Sequence, residues 1–176
     1  MQIKPLEQQD WSAWQAIYEE AFPIAERFDF EELVNLTHEN AKIHLSKLVE
    51  NDQLVGLLCH VDLSDQKGFI LYFATQAQQR GRGLGGKALA AMKELYPAGF
   101  ILESELTETT AENETQRQAR FRFYERNGVK ASDTISHNMG GDFHLMRSTT
   151  DIDSNHYLEA IDMFGIVAKL SKVESK

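Results

Sequence analysis

Four glycines fall within six residues, Gly81, Gly83, Gly85 and Gly86, inside the run 78–86 that reads QQRGRGLGG. The run joins an apolar stretch of period two to a segment with helical spacing, so the chain must turn sharply from a strand into a helix there. Glycine accepts left-handed backbone and lets N–H groups approach a ligand with no side chain in the way. The first turn of the following helix adds unpaired N–H groups and the positive end of its dipole. The turn is therefore a candidate site for phosphate or pyrophosphate, flanked by Arg80 and Arg82. The alternative is a flexible turn that is merely rich in glycine.

The rest of the chain sets this turn in a definite order of elements. Residues 3–6 predict a short strand, and Trp11, Trp14, Ile17, Tyr18 and Ala21 repeat at helical spacing before Pro23 stops the helix. Phe30, Leu33, Val34 and Leu36 predict a second helix over about 29–38. From Lys42 the period changes to two, and turns at 51–52 and 64–68 separate three strands of an antiparallel meander ending near Thr75. A helix over about 83–96, a break at 97–99 and a strand over 100–106 form a parallel strand-helix-strand unit. A helix over about 113–127 capped by Gly128 precedes strands at 129–137 and 143–148. Beyond Asp151 and Asp153, Leu158, Ile161 and Phe164 share one helical face, packed on the domain or, alternatively, used in a homodimer. The expectation is a single α/β (α+β) domain over 1–176. Its mixed, mostly antiparallel twisted sheet has about seven strands and four or five flanking helices, with 151–176 as a C-terminal helical extension.

Composition narrows the function. Eighteen basic against 27 acidic residues give a net charge of -9, which opposes general binding to nucleic acid or anionic membrane. The same charge would draw in a cationic ligand or serve solubility. No apolar run approaches the ~18 residues of a spanning helix, and the start MQIKPLEQQDW has neither basic head nor apolar core, so a cytoplasmic protein is expected. The single cysteine, Cys59, has no partner for a disulfide. Histidines at 38, 44, 60, 137, 144 and 156 lack close metal-ligand spacing such as HExxH, so no metal is expected.

Gly81, Gly83 and Gly86 also satisfy the dinucleotide pattern GxGxxG, with Glu103 about 20 residues on. In that fold the glycines follow the first strand directly, whereas here Gln76 to Arg80 intervene after a meander. No Lys-Ser or Lys-Thr follows, as an NTPase loop requires. The run resembles instead the coenzyme A loop of the GNAT superfamily of N-acetyltransferases. Gln78, Gly81 and Gly83 match that loop, and Arg80, Leu84, Gly85 and Leu89 extend the likeness. The resemblance implies acetyl-CoA as cosubstrate, with N–H groups from about Arg80 through Arg82 to Gly86 on the pyrophosphate. It also implies that the backbone of Phe73 and Thr75 pairs with the pantetheine arm. Thr75 departs from the usual aliphatic residue.

The run FRFYERNGV at 121–129 resembles the second family motif and puts Tyr124 at the position of the general acid. Val129 replaces the usual aromatic residue. Arg117 stands where many members have Asn, and either binds phosphate or pairs with glutamates. For the base, Glu103 and Glu105 stand two apart on one strand. Burial and mutual repulsion would raise the proton affinity of one, or both are solvated and the base is a water chain. Glu26 and Arg27 sit where the family forms a wall of the acceptor site. The implied activity is acetyl transfer to a primary amine by direct attack, on a small molecule or a peptide. The alternatives are a non-catalytic acyl-CoA-binding or sensor module of the same fold and, less well matched, a nucleotide-dependent oxidoreductase.

Overall fold

A computed structural model describes residues 1–139 and 141–173. Strand β1 (Gln2–Pro5) leads into helices α1 (Trp11–Ala21) and α2 (Phe30–Glu39), followed by the meander β2 (Ile43–Glu50), β3 (Gln53–Asp62) and β4 (Lys67–Thr75). Helix α3 (Leu84–Leu95) and strand β5 (Gly99–Glu105) complete the crossover unit. Then come α4 (Glu114–Arg126), β6 (Lys130–Asn138), β7 (Gly141–Arg147), α5 (Ser154–Asp162) and β8 (Lys169–Lys172). The eight strands form one sheet in the order β1-β2-β3-β4-β5-β7-β6-β8, in which only β4 and β5 run parallel.

One strand more is found than the sequence suggests, and it comes from the segment expected to be a helical extension. Asp153 caps α5 by accepting from the N–H groups of Asn155 and His156. The helix ends by Met163, Gly165 turns at φ 68°, and the chain then pairs with β6 from Thr134↔Lys172 to His137↔Lys169. Strand β8 is four residues of KLSK at the sheet edge, too short and polar to show a period. Residues 174–176 of the expected extension lie outside the described residues.

Alternation along the strands feeds two cores. Trp14, Tyr18, Leu33, Leu57, Phe69, Ile101, Tyr157 and Ile161 bury one face of the sheet under α1, α2 and α5. Leu58, Ile70, Leu89, Met92, Phe100, Tyr124 and Met146 bury the other under α3 and α4. Cys59 is buried and free, and burial pushes its thiol up. Among the described residues no helix is long and apolar enough to cross a membrane. Of the face read from the sequence, Ile161 and Phe164 are buried on the domain with Tyr157 and Ala160, whereas Leu158 is 37% exposed because it points away from the sheet.

Polar groups inside the second core are paired in a chain whose polarity can be read. The Tyr96 hydroxyl donates to Asp62 Oδ1 at 2.7 Å and so accepts from His60 Nδ1 at 2.5 Å. That leaves His60 Nε2 to accept from Ser46 Oγ at 3.0 Å. Burial, then the nearby His44, lowers the His60 pKa from its ordinary 6.5 to about 3. The unfolded chain therefore takes up a proton on acidification before the folded one does. Stability should be intact above 6.5 and fall by about 1.4 kcal/mol for each pH unit between there and about 3. Urea unfolding at pH 7 and pH 5 checks this, and His60→Gln should flatten the slope whatever its effect at pH 7.

Candidate active site

Strands β4 and β5 pair only from Lys67↔Gly99 to Ile70↔Leu102. Beyond that point β3 holds β4 through Phe73↔Leu58 and Thr75↔Gly56, while β7 holds β5 through Glu103↔Leu145 and Glu105↔Phe143. The two strands part, and a cavity of about 510 Å3 opens between them. Gln76 N–H donates to the Val55 carbonyl of β3 at 2.9 Å. Since alternate residues of a strand direct their backbone groups to opposite edges, Phe73 and Thr75 present theirs to the open cleft. Both residues line it.

The glycine turn begins beside this edge. Arg80 N–H is already used, donating to Ala77 at 3.2 Å, and the Arg80 side chain lines the cleft. Gly81 and Gly83 have φ of 81° and 74°, where other residues are strained, and a Cβ on either would meet nothing within 4 Å. Helix α3 starts at Leu84, and the N–H groups of residues 81–86 have no acceptor among the described residues. Six free donors at a helix start form an anion cradle. Gly85 and Gly86 have an added structural reason: a Cβ would come within 2.9 Å of Phe123 Cζ and 3.1 Å of Asn127 Oδ1, so they let α3 lie against α4. The side chain of Leu84 is a core residue. Gln78 and Arg82 are exposed, and neither lines the cleft.

Tyr124 comes from α4 and is 6% exposed, with its ring in the core and its residue on the cleft wall. Its hydroxyl has no hydrogen-bond partner among the described residues. Burial pushes its pKa up to about 12 against the opposing pull of Arg120. The paired carboxylates both line the cavity, yet their environments differ. Glu103 Oε1 accepts from the Tyr157 hydroxyl and from Asn138 Nδ2, each at 2.6 Å. Burial raises its pKa, while hydrogen bonds from Tyr157, Asn138 and Ser136 pull the other way. Desolvation, rather than repulsion between the two carboxylates, is thus the cause. Glu105 instead is held by cations of α4: Arg117 Nε lies 3.2 Å from Oε1 and Arg120 Nη1 bonds Oε2. Arg117 also donates to the Leu106 carbonyl at 3.3 Å and to Asn113 Oδ1 at 2.8 Å. Of the two readings of Arg117, the structure shows the pairing with glutamate.

Glu26 lines the cleft, but Arg27 does not. The Arg27 guanidinium donates to the carbonyls of Glu19 and Phe22, both at 2.9 Å, and so closes the C-terminal end of α1. The residues that sequence reasoning missed are Tyr157, Asn138 and Ser136, which hold Glu103, and Tyr72, Phe143 and Ile166 on the wall. Tyr157 and Asn138 lie 54 and 35 residues downstream of Glu103, and no local pattern marks them. Among the described residues no group of three or more His, Cys, Asp or Glu could hold a metal.

A model of the "Acetyltransferase (GNAT) family" matches residues 4–129. The chain belongs to the GNAT acetyltransferase family. No curated protein sequence matches it. Its fold is similar to that of a protein of Bacteroides thetaiotaomicron assigned to the same family, with a TM-score of 0.73 at 23% identity over 90% of this chain and 92% of that one. Arabidopsis thaliana Naa50, solved with the bisubstrate analogue CoA-Ac-MVNAL, aligns with a TM-score of 0.59 at 16% identity, covering 84% and 97% of the two chains. The PaiA N-acetyltransferase of Thermoplasma acidophilum, solved with coenzyme A, gives 0.55 at 19% identity over 84% and 98%. The GNAT core therefore includes the meander, the glycine turn and α4, and the matched region ends just past Tyr124. Removing a donor should be visible at Glu103: Tyr157→Phe should move its carboxyl titration further up. Carbon-13 NMR of the labelled glutamates checks this, and an unchanged value would show that the Tyr157 bond has no electrostatic weight.

Proposed function

We propose that this GNAT-family chain transfers an acetyl group from acetyl-CoA to a primary amine by direct attack, with Tyr124 as general acid and Glu103 as base. The observation that carries the reading is the unpartnered Tyr124 hydroxyl on the wall of the cleft that also receives the free edge of β4. The cradle fits a pyrophosphate, since Gly81 and Gly83 leave open space where side chains would stand and the N–H groups of 81–86 are free. Phe73 and Thr75 would pair with the amides of the pantetheine arm as an added strand does. The thioester supplies an activated acyl carbon when bound.

The acceptor arrives as an ammonium and gives a proton to Glu103, whose proton affinity is raised by burial. The neutral nitrogen forms a bond to the acyl carbon, and the carbon–sulfur bond breaks. Tyr124 gives its proton to the departing thiolate and regains one from the nitrogen, which becomes an amide. No covalent enzyme intermediate is needed. With its pKa near 12, Tyr124 stays protonated throughout the working range. Glu105, neutralised by Arg117 and Arg120, orients α4 and leaves the proton transfer to Glu103.

Tyr124→Phe should lower kcat by about 10²-fold while leaving acetyl-CoA affinity nearly intact. The rate should fall on acidification as Glu103 becomes protonated, with a midpoint above the ordinary 4.5 of a glutamate. Stopped assays of thiol release across pH check both, and unchanged turnover would remove Tyr124 from the mechanism. Calorimetry should show acetyl-CoA binding to the wild type that Gly83→Asp abolishes, because the new carboxylate faces the cradle. NAD should not bind. Binding without thiol release on any amine would turn the reading into that of an acyl-CoA-binding module.

A further inference from the structure

The charged groups that line the cleft are unequally paired. Arg80, from the glycine turn, and Arg120, from α4, are the only cations among its described lining residues. Arg120 is already paired with Glu105. Phe22, Pro23, Ala25, Met139, Phe143 and Ile166 give the same cleft an apolar wall. The apolar character continues at the mouth. Ile24, between lining residues Pro23 and Ala25, is 79% exposed, Val167 beside Ile166 is 85% exposed, and Met139 is 49% exposed. Three separate loops thus each hold an apolar side chain in water at this opening.

Of the lining carboxylates, Glu105 is paired with arginine, whereas Glu26 and Glu103 have no ion-pair partner among the described residues. Tyr157 and Asn138 both donate to Glu103 Oε1, and the Ser136 hydroxyl adds a further hydrogen bond. These donors are a phenol, an amide and a hydroxyl, all neutral, and no cation among the described residues is bonded to an ionised Glu103. Arg27, next to Glu26 in sequence, gives its guanidinium to the carbonyls of Glu19 and Phe22. An ammonium group is what would balance an ionised Glu103. A carboxylate next to that ammonium would meet Glu103 and an apolar wall with no compensating charge.

We propose that the acceptor is a primary amine on an apolar body that carries no carboxylate beside the amine, with its ammonium seated on Glu103. The inference rests on the acyl-transfer reading and narrows it: a free amino acid is rejected, and the amide or decarboxylated form of the same molecule is accepted. This chemistry is shared by arylalkylamines and by the amino terminus of a peptide with an apolar first side chain.

The test compares phenylalanine, phenylalanine amide, 2-phenylethylamine and the peptide amide Phe-Ala-Ala-NH2 as acceptors, by thiol release from acetyl-CoA. The expected result is a kcat/KM at least 10²-fold higher for the amide, the amine or the peptide than for phenylalanine. A higher value for the peptide than for the amine would assign the body to a polypeptide chain end, and the reverse to a small molecule. Met139→Arg, which places a cation at an exposed turn of the mouth, should narrow the gap between phenylalanine and its amide at least tenfold. Equal use of phenylalanine and its amide by the wild type would overturn the proposal while leaving acetyl transfer standing. Where no acceptor turns over, calorimetric binding of 2-phenylethylamine and phenylalanine to the protein with CoA reads the seat directly. Binding of the amine at least tenfold tighter than phenylalanine, weakened at least tenfold by Glu103→Gln, supports it. Equal binding, or none, overturns it.

Discussion

Everything at the candidate site depends on one broken pairing. Strands β4 and β5 begin as parallel neighbours, and their ladder ends at Ile70↔Leu102 because each is bound more extensively on its other side. An open strand edge inside a sheet is normally costly, since its N–H and C=O groups are left without partners. Here the exposed edge of β4 leads straight into the glycine turn, so a row of strand donors and acceptors continues as a row of helix-terminal donors. The fold supplies an extended site for a long, flexible, anionic ligand through its topology, and side-chain chemistry has only to be added around it.

The order of elements was largely legible because each carries its own local signal. Pro23 ends α1, helical spacing marks α3, and the change from period two at β4 to the glycines marks the cleft edge. Gly81 and Gly83 were readable for the same reason, because a positive φ at a strand-to-helix turn is a local demand. Strand β8 was not legible, since KLSK has neither length nor apolar alternation and is held by pairing with β6. Nor was the use of Arg27, whose guanidinium closes a helix end eight residues away in sequence. The partners of Glu103 show the limit most clearly, for Tyr157 and Asn138 reach it only because β6 and α5 fold back over β5.

Spacing alone made Glu103 and Glu105 equivalent, and packing separates them. Two arginines from α4 keep Glu105 in an ion pair, which fixes the helix that carries Tyr124. Glu103 meets only neutral donors, so its proton affinity is set by desolvation against hydrogen bonding. A carboxylate paired with arginine is a poor base, because the cation stabilises the form that has already lost its proton. A desolvated one is a better base and, when ionised, a stronger seat for an ammonium group. The same strand thus carries one carboxylate held in an ion pair and one that meets only neutral donors, two residues apart.

The two walls of the cleft also keep the proposed proton donor and acceptor apart. Tyr124 belongs to the core beneath α3 and α4, while Glu103 is held by β6 and α5 from the other side. The parted strands leave the cavity between these walls. Burial raises the proton affinity of both groups, but from different starting values, so at neutral pH the phenol keeps its proton while the carboxyl lies much closer to its titration. The free donors of the glycine turn and the carboxylate of Glu103, which meets no cation among the described residues, belong to one cleft and differ in charge. Under the proposed acetyl transfer, that difference would draw phosphate to the turn and an amine to Glu103 before any contact specific to the acceptor is made.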